Sequence, residues 1–274
     1  MGFRGRFRSR PHSRVLPAGV LAEGGHLRLV YQPRIDLRTL QASSVEALVR
    51  WVHPSRGTQM PDAFIALAEQ TGDILEIGAW VLDEAVRQLS RWRRSWPTLQ
   101  VAINVSPVQI DRGTLLPALQ RALRRHCVKP SSVEIEVTES LCVQDEVGAA
   151  GTMRALRSLG VHLAIDDFGK GCAGIATLRW LPATVVKLDK SLVDALHGDA
   201  GPGHVLVSAL VAFAHGLGAL CVAEGVETRA QVEALRRLGC DQAQGYFFSR
   251  PVEVGDIRQD YCTASPCVPV PNTV

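Results

Sequence analysis

Leu156-Arg157-Ser158-Leu159-Gly160-Val161-His162-Leu163-Ala164-Ile165-Asp166-Asp167 holds the unit from which the fold can be read. Leu156 and Leu159 belong to an amphipathic stretch that closes on Gly160, a residue suited to the left-handed position just past a helix end. The run His162–Ile165 then reads as a short strand, and two carboxylates stand where it stops. A helix closing on glycine, a strand, and a polar residue at the strand's end are the rhythm of βα units.

The rhythm continues in both directions. Eight runs read as strands: Leu27–Tyr31, Val45–Trp51, Val101–Val105, Val133–Val137, His162–Ile165, Val185–Leu188, Cys221–Ala223 and Ala243–Phe247. Gly218 and Gly239 close two further helices as Gly160 does, and Thr228-x-x-Gln231 reads as a capping box opening the helix that Gly239 ends. The segment from Asp62 to Arg94 is too long for one helix and is split at Thr71-Gly72-Asp73, so a helical pair joins the second and third strands. Eight strands with interleaved helices predict an α/β chain folded as a closed (β/α)8 TIM-like barrel rather than an open doubly wound sheet. No Gly-x-Gly-x-x-Gly follows the first strand to favour a dinucleotide fold.

Residues 1–25 are rich in Arg, Gly, Pro and Ser without a period, and read as a basic, poorly ordered tail. The barrel domain spans 26–258, and 259–274 form a second tail whose last dozen residues carry three prolines and no charge. The formal net charge is +3, but Arg4, Arg6, Arg8, Arg10 and Arg14 supply five positive charges, and without them the remainder stands at −2. The body is faintly acidic, so the basic overall charge says nothing about what the folded part binds, and no nucleic-acid polymer is expected as partner. Seven cysteines without a Cys-x-x-Cys pair indicate neither a disulfide framework nor a zinc knuckle and suit a reducing cytoplasm. The apolar stretch Val205–Leu220 carries His215 and is broken by glycine, so no membrane span is read, and no apolar core of a secretion signal follows the Arg-rich start.

In a β/α barrel the C-terminal ends of all parallel strands meet around one opening. Here strand two carries Glu46, strand three ends at Asn104, and strand four at Glu136 with Glu139 beyond. Strand five delivers Asp166 and Asp167, strand six Lys187 and Asp189, strand seven Glu224 and Glu227, and strand eight Gln244. A lone Asp or Glu at a strand end is more often a helix cap or a surface ion pair, yet so many on different strands point to one site. Converging carboxylates with an Asn carbonyl and no Cys or His cluster call for a hard cation: Mg2+, Mn2+ or Ca2+. Adjacent Asp166 and Asp167 can serve two ions if one carboxylate bridges, a geometry suited to in-line phosphoryl displacement, and Lys187 can neutralise a phosphate or polarise the attacking water.

Glu46-Ala-Leu-Val-Arg50-Trp51 resembles the signature of the EAL-domain family, cyclic di-GMP phosphodiesterases of bacterial signalling. Tyr31-Gln-Pro33, Phe64-Ile-Ala-Leu-Ala-Glu69, Ile103-Asn-Val-Ser106, Glu136-Val-Thr-Glu139, Asp166-Asp-Phe-Gly169, Lys187-Leu-Asp189, Glu224-Gly-Val-Glu227 and Gln244-Gly-Tyr246 are similar to family blocks in the same order. The resemblance covers about residues 27–252. It implies a barrel with an antiparallel first strand, two Mg2+ or Mn2+ ions, and hydrolysis of cyclic di-GMP to linear pGpG. By resemblance, Glu46, Asn104, Glu136 and Asp166 hold one ion, while Asp166 as bridge and Asp167 hold the other. Glu224 is then a ligand or general base, and Lys187 orients the water. Gln32, Leu48 and Arg50 match the positions that hold the dinucleotide, and Glu139, Glu227 and Gln244 those that fix the metal ligands.

The chain departs from the family after Gly169, where it reads Lys170-Gly171-Cys172-Ala173-Gly174 in place of hydroxyl and aromatic residues. In the family this loop links the second-metal aspartate to a homodimer contact, and an ammonium at Lys170 opposes a second cation. Two functions follow as expectations: a metal-dependent phosphodiesterase, or a catalytically impaired domain that acts as a cyclic di-GMP receptor.

Overall fold

The computed structural model describes residues 24–138, 146–170, 181–198 and 200–261. Strand β1 (His26–Asp36) runs antiparallel to β2 (Ala42–His53), in register from His26 opposite Val52 to Arg34 opposite Ser44, with a shift before Ile35 opposite Ala42. A short strand β3 (Gly57–Gln59) folds back on the end of β2. On the other side of β2 the sheet proceeds in parallel through β4 (Gln100–Asn104), β5 (Val133–Thr138), β6 (His162–Phe168), β7 (Val185–Leu188), β8 (Leu220–Ala223) and β9 (Gln242–Ala243). Strand β9 pairs antiparallel with β1, and the β1–β2 ladder closes the barrel. The expected eight-stranded α/β barrel with a reversed first strand is the fold found.

Helices α1 (Ile65–Thr71) and α2 (Ile74–Trp92) are the expected pair, parted by Gly72 at φ 87°. Next come α3 (Pro107–Asp111), α4 (Leu115–His126), α5 (Glu146–Leu159), α6 (Lys190–Asp194), α7 (Pro202–Gly216) and α8 (Arg229–Arg237). Gly160, Gly218 and Gly239 adopt φ of 99°, 71° and 82°, as their places after helix ends require. Thr228 and Gln231 form the capping box of α8 in both directions. None of the described helices is long and apolar enough to cross a membrane.

Three strand readings need correction. Strand β1 runs well past Leu27–Tyr31, because Gln32 and Arg34 stay in the ladder as inward-facing polar residues. Strand β3 has no counterpart among the eight expected runs. The run Ala243–Phe247 is strand only at its start: Phe248 and Ser249 donate their amides back to the Gly245 carbonyl, turning the chain. Gly245 also packs so closely on Val226 that a Cβ would lie 2.1 Å from the Val226 carbonyl oxygen.

Alternation along each strand separates two interiors. Val101, Ile103, Ile135, Val137, Leu163, Ile165, Val186 and Leu188 face the helix layer in one large apolar core with Leu82, Leu89, Leu119, Leu156 and Leu235. Each such side chain contributes about 1.5–3 kcal/mol on burial. Inside the barrel Ala164, Val185 and Val222 form a separate small cluster, and polar and charged side chains lie buried around it. Their smallness leaves room for Arg34, Glu134, Glu136 and Lys187.

The basic tail expected over 1–25 lies, through residue 23, outside the described residues, as do Glu139, the segment 171–180 and 262–274.

Candidate metal centre

Glu46 is not at a strand end. It lies in the middle of β2, level with Ala102 of β4, because β1 and β2 continue past the mouth as a two-stranded ribbon. The period of two places Glu46, Leu48 and Arg50 on one face of β2, opposite Gln32, Val30 and Arg28 of β1.

An amide chain runs across this side of the mouth. Gln32 Nε2 donates to the Ser249 carbonyl at 3.0 Å, and Gln244 Nε2 donates to Gln32 Oε1 at 3.0 Å and to Glu46 Oε2 at 2.6 Å. Asn104 Nδ2 donates to Glu46 Oε1 at 2.6 Å, which leaves its carbonyl oxygen as the atom a hard cation would take. Gln244 thus holds one oxygen of Glu46 and Asn104 the other. Gln32 is tied at both ends into the same chain, a tie that its expected role toward the dinucleotide did not foresee.

The opposite side is charged. Lys187 is 0% exposed, and its ammonium lies 3.0 Å from Glu136 Oε1, 3.0 Å from Asp166 Oδ1 and 2.7 Å from Glu224 Oε1. Burial alone would lower its pKa, but the three carboxylates outweigh it and hold the amine charged. Burial pushes Glu136 well above the usual carboxylate range and Glu224 up to about 8. Asp167 is likewise raised by burial and by the charge of Asp166. One lysine does not supply enough positive charge for these carboxylates.

Adjacent strand residues normally point to opposite faces, so Asp166 and Asp167 could not both serve one site on a regular β6. The register between β6 and β7 slips between Ile165 and Phe168, and within that bulge Asp167 adopts φ 56°. The Asp167 amide donates to Asp166 Oδ1 at 2.9 Å, holding the pair in this local turn. The result is that carboxylate oxygens of Asp166, Asp167 and Glu224 lie within 4.8 Å of one another. Glu136 Oε2 is buried and accepts no hydrogen bond. A buried acceptor without a donor beside a cluster of oxygens is what a hard divalent cation satisfies, so these residues fit one.

The cavity here, of about 370 Å3, has Gln32, Glu46, Asp166, Glu224, Glu227 and Gln244 in its walls. Lys190 and Tyr246 also line it, and neither was picked out from the sequence as a site residue. Leu48 and Arg50 are not in its walls; they lie further along the ribbon, where Arg50 Nη1 donates to the Val49 carbonyl at 2.8 Å. Glu227 does not touch the metal cluster directly but binds Lys190 at 2.9 Å. Below the mouth the sequence reading missed Arg34, 2% exposed, which grips Glu134 with both nitrogens at 2.7 and 2.9 Å and stands 3.9 Å from Glu136 Oε1. The signal was present: Arg34 is two residues from Gln32 and Glu134 two from Glu136, each on the inward face.

A family model described as the EAL domain matches residues 16–251. Among curated proteins, the bifunctional diguanylate cyclase/cyclic di-GMP phosphodiesterase MucR of Pseudomonas aeruginosa is 40% identical over 234 residues, 84% of this chain and 34% of that protein. The chain thus spans about a third of the length of curated relatives such as this one. The solved MucR phosphodiesterase in complex with c-di-GMP superposes with a TM-score of 0.76 at 40% identity, covering 82% of this chain and 92% of that one. The EAL domain of Mycobacterium smegmatis DcpA superposes with a TM-score of 0.70 at 34% identity, covering 83% and 92%.

Proposed function

This chain belongs to the EAL domain family, and from that premise we propose that it hydrolyses one phosphodiester of cyclic di-GMP to linear pGpG with two Mg2+ or Mn2+ ions. The observation that carries the reading is the meeting of Asp166, Asp167 and Glu224 oxygens within 4.8 Å, beside a buried Glu136 oxygen that lacks a donor. Glu46, Asn104, Glu136 and Asp166 would hold one ion, and Asp166 with Asp167 the other. Bound divalent cations would supply a water of lowered pKa and offset charge on the phosphoryl oxygens.

The chain's own residues do the rest. Lys187 fixes Glu136, Asp166 and Glu224 relative to one another through its three contacts of 2.7–3.0 Å. Glu224, whose proton affinity is raised by burial, is the group suited to take a proton from the attacking water. The Glu46–Gln244–Gln32 chain holds the opposite wall in place, and Glu46 accepts from two amide donors, Asn104 and Gln244. Leu48 and Arg50, on the ribbon beside Glu46, meet the dinucleotide, the guanidinium through its fork of donors.

A second reading has one observation in its favour: Lys170 Nζ lies 3.8 Å from Asp167 Oδ2, beside the carboxylate required for the second ion. In that reading the domain binds cyclic di-GMP as a receptor without turning it over. Purified protein incubated with cyclic di-GMP and Mg2+ or Mn2+, followed by nucleotide separation, decides: linear pGpG supports the enzyme, and tight binding without product in excess Mn2+ supports the receptor. If Glu46→Ala turns over as fast as wild type, the metal assignment is wrong.

A further inference from the structure

We propose that Lys190 is a positioning residue that braces Glu224 from outside the metal cluster, an inference that rests on the phosphodiesterase reading above. Glu224 leads the turn Glu224-Gly225-Val226-Glu227, which leaves β8 at the mouth. Lys190 opens α6, just past Asp189 at the end of β7. Its ammonium lies 2.9 Å from Glu227 Oε1 and 3.4 Å from the Gly225 carbonyl, and 3.0 Å from Asp194 Oδ1 on its own helix. It thus holds both the middle and the far end of the turn that begins with Glu224.

The aliphatic stem adds a second hold. A Cβ on Gly225 would lie 2.4, 2.6 and 2.7 Å from Lys190 Cγ, Cβ and Cδ, so the stem rests directly on the Gly225 backbone. Gly225 also takes φ 66°, a left-handed conformation in which side chains are strained. Glycine is required there for two independent reasons, the left-handed backbone and the room its missing Cβ leaves for the Lys190 stem. The other anchors of the turn lie on either side of Gly225: Glu224 N donates to the Leu188 carbonyl, Val226 N to the Gln244 carbonyl and Glu227 N to Gln231 Oε1, and the Val226 carbonyl accepts from Phe247 N. These fix the path of the chain but leave the peptide between Glu224 and Val226 to be set by Lys190.

Charge fits the same role. Glu224 is already held by Lys187 at 2.7 Å from within the barrel, so its carboxylate is gripped inside and its backbone outside. Asp194 and Glu227 share the Lys190 ammonium, which keeps its charge on the turn. Groups one step removed from metal ligands commonly change metal affinity or rate by about 10–100-fold when removed. The half-exposed pairs of Lys190 place it at the low end of that range.

The test compares Lys190→Met, which keeps the stem and removes the ammonium, with Lys190→Arg, which keeps both. Mn2+ alone is titrated by calorimetry, and kcat and KM are measured separately with cyclic di-GMP. The expected result for Lys190→Met is an approximately tenfold fall in kcat and in Mn2+ affinity with KM within about twofold, while Lys190→Arg stays within about threefold of wild type in all three. Should Lys190→Met not fold, Glu227→Gln, which removes the charge partner and leaves the stem on Gly225, carries the same comparison. Mn2+ affinity and kcat both within about twofold of wild type overturn the proposal, as does a loss confined to KM. If wild type itself yields no product, the phosphodiesterase reading fails, and the Mn2+ titrations alone still decide the role of Lys190.

Discussion

Lys170 Nζ stands 3.8 Å from Asp167 Oδ2, so the carboxylate assigned to the second ion already has a cationic neighbour one turn along the chain. Both side chains are substantially exposed, at 67% and 38%, and pairs of this kind are worth only about 0.2–1 kcal/mol. Replacing Lys170 by Thr should therefore raise Mn2+ affinity by about two- to fivefold, with a smaller gain at high salt. Calorimetric titration of the two proteins at two ionic strengths checks this. Equal affinities at low salt would show that Lys170 does not compete for Asp167.

The proton affinities at the mouth give a pH signature for the metal-free protein. Burial raises Glu224 from an ordinary 4.5 to about 8, and Glu136 moves in the same direction. A carboxyl that binds its proton more tightly when folded stabilises the fold fully below 4.5, and that contribution is lost as pH rises through about 8. In chelator, stability should fall over this interval by on the order of 1–3 kcal/mol, and saturating Mn2+ should abolish the fall by binding the ionised form. His162, whose pKa is lowered by burial, acts with the opposite sign, so urea midpoints of wild type and Glu224→Gln are compared at each pH. A wild-type-minus-variant difference that grows with pH would contradict the assignment.

The strand-and-helix order was readable because several βα units carry their own punctuation: Gly160, Gly218 and Gly239 after helices, and acids or an amide where strands stop. Most of the mouth followed, since parallel strands must deliver their ends to one opening. Asp166 and Asp167 were readable as residues but not as a geometry, because only the bulge and the left-handed Asp167 let neighbours share a face. The last strand reads as running on to Phe247 because Phe247 and Phe248 are apolar, and only the close contact of Gly245 with Val226 explains why the chain turns there instead. Lys190 was hidden for another reason: its contacts join α6 to the turn after β8, and sequence spacing does not report a contact across 37 residues.

Arg34 and Glu134 form a fully buried ion pair beneath the carboxylates of the mouth. Burial alone would raise Glu134, but the charge and hydrogen bonds of Arg34 outweigh it and hold the carboxyl below the ordinary 4.5. Such a group stabilises the fold above 4.5 and loses that contribution as pH falls through its lower folded value. Glu134→Gln, which strands the guanidinium, should cost about 3–5 kcal/mol, whereas Arg34→Met with Glu134→Leu should be near neutral. Urea unfolding at neutral and acidic pH checks both, and the double variant should lose less stability on acidification. A double variant as acid-sensitive as wild type would place the acid transition elsewhere.

Asp167 combines a backbone at φ 56° with the charge that the proposed second ion requires, and substitutions can separate the two. Asn tolerates the left-handed region and lacks the charge, so Asp167→Asn should fold as wild type while Mn2+ stoichiometry drops from two to one. Gly adopts that backbone freely, so Asp167→Gly should also fold and show the same loss of one ion. Val is β-branched and disfavours φ > 0, so Asp167→Val should lose about 1–3 kcal/mol more stability than Asn, in addition to losing the ion. Thermal melts and Mn2+ titrations of the three variants provide the comparison. If Val is as stable as Asn, the bulge is not held by the residue at its centre, and the convergence of Asp166 with Asp167 must be imposed by the metal-ligand contacts of the mouth instead.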